Sequence, residues 1–320
     1  MDCSWEPSAD YGLFFATLIE AWSHGFSKLY TEGYSPEVDR RWFVTRYTAA
    51  DLTIIVALLP IWTFGRFALA PILARKVMTI CDTKRSLWRR VAENMYNLIK
   101  HTLFWTAAAY LLLCESECSI FYRPSAIWTH HATHPMPPSA AVRWLQLALV
   151  SHSLFGWYTL LRANERRKDF VAMIAHHLIE VYMLSVGYHT NAHNCTLLLV
   201  FVHDASDIFL DLCKLFNYLK FGAKRKNQLM ENMAALCVAP LVVTWVVGRL
   251  YWFPLRVVYF ILQVPRDSSN FYLSFVPMTV VLPLLLMLDV YWFKMIMKVP
   301  MTMVLKGEAV DESTYQKNNN

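Results

Sequence analysis

The chain has 320 residues, of which 56% are hydrophobic, 15% aromatic and only 17% charged, with a formal net charge of +6. Soluble domains carry about 25% charged residues, so this composition, with a mean hydropathy of +0.30, excludes an ordinary water-soluble globule. No basic-aromatic cluster for base stacking or groove binding is present, which excludes a nucleic-acid partner.

The N-terminal residues 1–10 lack the basic stretch of a signal peptide, and the first apolar run breaks at Glu20 and His24. Residues 11–30 therefore read as an amphipathic or interfacial segment, with an eighth span as the alternative. Seven apolar stretches follow, each near the roughly 20 residues needed to cross a hydrocarbon core of about 30 Å. They fall at 51–74, 95–114, 142–161, 171–189, 195–213, 233–253 and 271–293. The expected fold class is all-α, a polytopic transmembrane helical bundle of about seven spans. Residues 1–50 form an N-terminal segment, 51–300 the membrane domain, and 301–320 a polar, disordered tail.

Lys and Arg are concentrated in alternate connections. The loop 75–93 holds Arg75, Lys76, Lys84, Arg85, Arg89 and Arg90, and the connections at 162–168 and 214–226 and the tail are also rich. The connections 115–141, 189–194 and 254–270 are poor. By the positive-inside rule this places the C-terminus in the cytosol and the N-terminus in the lumen. Arg40, Arg41 and Arg46 are the discordant residues. Cys114 and Cys118 lie near each other at the lumenal end of the second span, where a disulfide or two free thiols are both permitted.

An ionisable side chain inside a bilayer costs several kcal/mol and marks a functional hypothesis. The fourth and fifth spans carry the heaviest load: His176, His177, Glu180, His203, Asp204, Asp207 and Asp211, with Lys214 at the end. The short connection between them makes an antiparallel hairpin. His203, Asp207, Asp211 and Lys214 fall at i, i+4, i+8 and i+11 on one face. Depth along the hairpin sets His176 and His177 level with Asp207, and Glu180 level with His203. One intramembrane histidine is more often a satisfied helix contact. A convergence of this many points to acid–base chemistry or a proton relay.

The stretch 166–220 carries R-R-K-D-F, M-x-x-H-H and H-D-x-S-D-x-x-L-D-x-C-K, and R-R-V-A-E-N-M-Y precedes the second span. These pieces resemble the Lag motif of ceramide synthases, within the TLC domain. The chain departs from the family at Glu180, where relatives have threonine, and at Gly187, where they have serine. Asn191…Asn194…Thr196 lacks the family's arginine and glycine, Asp211 stands for glutamate, and the loop 75–93 is too short for a homeobox-like insert.

The resemblance implies transfer of a fatty acyl group from acyl-CoA to the amine of sphinganine or sphingosine in the endoplasmic reticulum membrane. Acyl-CoA is then a co-substrate, with no cofactor and no metal. His176, His177, His203, Asp204 and Asp207 are the expected catalytic residues, with His176 or His177 as base or acyl-accepting nucleophile. Arg166, Arg167, Lys168, Glu180, Asn191, Ser206 and Asp211 are the expected substrate contacts. Besides the substrates, membrane lipids are expected partners, as is a homo- or heterodimer.

The resemblance also links acyl-chain preference to the connection near Gln263–Tyr272. Three other readings compete. They are a non-catalytic TLC-domain lipid sensor or transfer protein, a proton-coupled transporter, and a di-iron hydroxylase built on His130, His131 and His134. The last would place its histidines on the lumenal side, away from the His176 mouth.

Overall fold

The computed structural model describes residues 5–31, 47–115, 121–127, 138–162, 169–189, 192–222, 228–267 and 275–306. Eight long helices account for nearly all of them. They are α1 (Tyr11–Thr31), α2 (Ala49–Ile80), α3 (Trp88–Tyr110), α4 (Ala140–Leu161), α5 (Phe170–His189) and α6 (His193–Gly222). Helix α7 begins at Gln228–Thr244 and continues through Trp245–Val258 into Tyr259–Asp267, and α8 is Phe275–Lys306. No strand occurs among the described residues.

Among the described residues, four stretches are long and apolar enough to cross a membrane by length and composition: Ala49–Ile80, Phe170–His189, Gln228–Gln263 and Pro277–Lys298. The protein is a polytopic helical membrane protein. Large apolar side chains point outward along α2, including Leu52, Val56, Ile61, Phe64 and Phe67, as a lipid-facing surface requires and a water-facing one does not. Backbone polar groups in lipid must be satisfied within the segment, which is why the crossing elements are helices.

Helix α6 is the axle. It makes its most extensive contacts with α3 on one side and α7 on the other, and meets its sequence neighbour α5 over a much smaller surface. The close approach of α7 has a local cause. A Cβ on Gly248 would lie 2.7 Å from the Val202 carbonyl oxygen, so only glycine permits this contact. The same stretch, Trp245–Val258, is wound as a π-helix and contains Pro254, a widening common at functional positions. Segment 11–30 forms α1, which buries Phe14, Leu18 and Ala21 and packs on α7 and α8. Helix α8 runs on to Lys306, so the expected boundary of the tail at 301 falls inside a helix.

At the opposite end from the basic loops, one carboxylate ties three helices. Thr48 and Asp51 form a reciprocal capping box at the start of α2. The buried Asp51 carboxylate also accepts from Arg143 Nη2 of α4 at 2.6 Å and from the Tyr188 hydroxyl of α5 at 2.9 Å. Asp51→Ala removes the cap and strands a buried hydroxyl, so it should cost about 2–4 kcal/mol of stability. Arg143→Ala should cost under about 1 kcal/mol, because its side chain is 45% exposed. Thermal denaturation in detergent reads the difference.

Candidate active site

The five helices α3 to α7, with α8, enclose a cavity of about 1300 Å³. Its mouth is basic, ringed by Arg89, Arg90, Arg162, Lys214 and Lys298; its far end is apolar, closed by Leu149, Met183, Leu184 and Leu199. From Lys214 to Thr196 along α6, both of which line it, the helical rise gives a depth of about 27 Å. The polar groups gather between these ends.

Helix α6 presents His203, Asp207 and Asp211 to the cavity, as the i, i+4, i+8 spacing anticipates, and Asp204 beside them. Their partners come from elsewhere. His101 of α3 donates from Nδ1 to Asp211 Oδ2 at 2.8 Å, and its Nε2 accepts from Lys100 Nζ. Asn94 Nδ2 donates to the Asp211 carbonyl oxygen. From the other flank, Arg249 of α7 binds Asp207 Oδ1 at 2.6 Å, Asp289 Oδ1 at 3.0 Å, Ser206 Oγ at 2.7 Å and the His203 carbonyl at 3.1 Å. Its guanidinium stands over the Trp245 ring, 4.0 Å from the centroid. Asp289 of α8 is fully buried and lies 3.3 Å from His203 Nε2, while His203 Nδ1 donates to the Leu199 carbonyl. Both nitrogens of His203 thus face oxygen acceptors.

The histidine pair on α5 is arranged differently. His177 Nδ1 donates to Glu180 Oε2 at 3.0 Å, which leaves Nε2 pointing away from its carboxylate partner. The ring lies against Gly156 of α4, where a Cβ would be 3.1 Å from His177 Cε1. Among the described residues His176 has no carboxylate on it: its buried Nδ1 is without a hydrogen-bond partner, and its ring meets the Trp292 ring edge-on at 5.3 Å. Trp292 is itself held by Asp169 Oδ2 at 3.3 Å.

These contacts replace the pairing expected from depth along the hairpin. Glu180 pairs with His177, not His203; Asp207 pairs with Arg249, not with His176 or His177. The reason is that α5 and α6 diverge around the cavity, so residues level in depth are not neighbours. Ser206 is buried, accepting from Arg249 and donating to the His203 carbonyl, and Asp211 is bonded to His101. Both thus tie α6 to its neighbours, and Asp211 also lines the cavity. Arg166, Arg167, Lys168, Asn191, Cys118 and the 130–134 histidines lie outside the described residues.

A TLC domain model matches residues 90–298, about two thirds of the chain. The chain belongs to the TLC-domain family. Similar proteins include ceramide synthase 1 of Mus musculus, 30% identical over 66% of this chain and 60% of that one. Ceramide synthase 1 of Homo sapiens is 30% identical over 72% of this chain and 66% of the relative. Ceramide synthase hyl-2 of Caenorhabditis elegans is 26% identical over 91% and 88%. The chain thus spans less than two thirds of the length of the first two relatives.

Within this TLC domain, the hairpin residues are only half of the polar site. Lys100, His101, His152, Arg249 and Asp289 complete it. Arg249 and Asp289 each stand as an isolated charge within an apolar predicted span, the signal that marks an intramembrane function. His152 of α4 lines the cavity within a box of Trp62, Tyr96, Phe104 and Phe155, and its Nε2 has no partner among the described residues.

Removing one member of a buried ion network leaves uncompensated charge and costs about 3–5 kcal/mol. Arg249→Met should therefore destabilise the protein by that order. Arg249→Lys should recover part of it, since an ammonium restores the charge but not the forked geometry. Detergent melts of both variants provide the measurement.

Proposed function

We propose that this TLC-domain protein is a ceramide synthase. It transfers a fatty acyl group from acyl-CoA to the amine of a sphingoid base in the endoplasmic reticulum membrane, with seven spans and a cytosolic C-terminus. The observation that carries the reading is one cavity with a basic mouth, an imidazole–carboxylate centre and an apolar end. A thioester with an anionic head and an apolar tail matches that order of environments. The phosphates of CoA meet Arg89, Arg90, Arg162 and Lys298, with Arg166, Arg167 and Lys168 close in sequence to the same rim. The named relatives support the same activity.

The second substrate is cationic in this proposal, and its ammonium binds at Asp204, a carboxylate that lines the cavity. A buried charge must be compensated. Asp204 fits that role because no hydrogen bond ties it among the described residues, whereas Asp207 and Asp211 are taken.

His177 is the base in this proposal. Glu180 on Nδ1 fixes its tautomer and leaves Nε2 to accept a proton. His177 Nε2 removes one proton from the ammonium and releases it to solvent, and the amine nitrogen then attacks the thioester carbonyl carbon. As the C–S bond breaks, a second N–H proton passes through the same imidazole to the departing thiolate. The products are amide, free thiol and one released proton. His176 lies beside His177, with ring centroids 5.6 Å apart, and borders the reacting carbonyl. His203, engaged at both nitrogens, holds α6 to α8.

Oxygen or nitrogen atoms of His101, Asp204 and Asp207 lie within 4.8 Å of one another, a spacing a metal ion would accept. His101 is already bonded at both nitrogens and Asp207 to Arg249. In this proposal these groups belong to the polar network, and no step of the transfer uses a metal.

Purified protein supplied with sphinganine and acyl-CoA should form dihydroceramide. His177→Ala should lower the rate by about 10²–10⁴-fold, the usual contribution of a general base. Asp204→Asn should raise KM for sphinganine more than KM for acyl-CoA. Wild-type rates from His177→Ala would remove it as the base, and absence of any amide from the unaltered protein would remove the activity. Treatment with EDTA should leave the rate unchanged; loss of activity restored by added zinc would instead assign the His101 group to a metal.

A further inference from the structure

We infer that the side chains of Met183, Thr196 and Leu199 form a partition at the closed end of the cavity that sets the length of acyl chain accepted. This inference rests on the N-acylation reading of the cavity. These three residues line the main cavity and also a separate void of about 10 Å³ directly beyond it. The far walls of that void are Gly187, Ala192, Cys195, Ile261 and Met278. A space of this size holds at most about one water, too little for further methylenes. The cavity therefore ends at the side chains of Met183, Thr196 and Leu199, and a longer chain needs volume removed from them.

The backbone around it is fixed. Gln146 Nε2 of α4 donates to the Leu184 carbonyl of α5 at 2.9 Å. Ala192 N donates to the Gly187 carbonyl at 2.8 Å, closing the α5–α6 turn. A Cβ at Gly187 would stand 2.9 Å from Thr196 Oγ1, so the two helices touch at the floor. With helices that cannot part, the depth available is decided by side-chain volume at 183, 196 and 199. Thr196 lies about 10 Å below His203 and about 16 Å below Asp207 along α6, which is the reach left for a tail whose carbonyl sits at His177. Met183 is the most adjustable member, being unbranched and buried.

The full chain in detergent is assayed with sphinganine and a series of saturated acyl-CoAs of increasing length, each supplied separately. Met183→Ala opens the partition and should move the preferred chain longer by about two or three methylenes, the volume removed. The ratio of longer to shorter product should rise about fourfold per methylene newly accommodated. Met183→Phe thickens the partition and should move the preference shorter. Each ratio is taken within one variant, so a lower yield of folded protein reduces all products together and leaves it unchanged.

Leu236→Ala, on the exposed face of α7, should keep the wild-type profile. Profiles of both Met183 variants that superimpose on wild type, or that shift in the same direction, overturn the partition. An unaltered protein that makes no amide with any acyl-CoA overturns the N-acylation reading instead, so the two failures are distinguishable.

Discussion

The buried guanidinium of Arg249 is the constraint on which the rest of the bundle depends. It joins α7 to Asp207 of α6 and Asp289 of α8, and reaches Ser206 and the His203 carbonyl as well. In a low-dielectric interior, a charge of either sign alone would be prohibitive, and a network of good geometry is what makes these groups tolerable. Its placement in turn needs the π-wound stretch and Gly248, without which α7 could not approach Val202.

With Arg249 on one flank and His101 on the other, α6 has most of its polar demands met by protein. That division separates bracing groups from reactive ones. Asp207, Asp211, Ser206 and His203 are held by neighbours on α3, α7 and α8. Among the described residues, Asp204, His152, His176 and His177 are polar groups of the site with hydrogen-bonding capacity left toward the cavity. A site assembled this way keeps its geometry when the cavity is empty, since ordering was achieved on folding and not on substrate binding.

Glu180 illustrates how a departure from a family pattern acquires meaning only in three dimensions. As a residue type it is an extra carboxylate in a place where relatives carry threonine. In the structure it sits 3.0 Å from His177 Nδ1, where a carboxylate orients an imidazole. The change is therefore local to one histidine and leaves the Arg249 network untouched.

The sequence alone determined that this is a membrane helix bundle, because apolar runs of spanning length report directly on the solvent they are built for. It also determined which face of α6 is polar, because helical periodicity puts His203, Asp207 and Asp211 in one line. Block spacing around His176 and His203 was sufficient to suggest the family. The partners of those residues were decided by tertiary structure. A hairpin fixes which residues share a depth but not how far apart its helices stand, and here a cavity separates α5 from α6. His101, Arg249 and Asp289 enter from helices remote in sequence, and nothing in the periodicity of one helix encodes which neighbour will fill the space beside it.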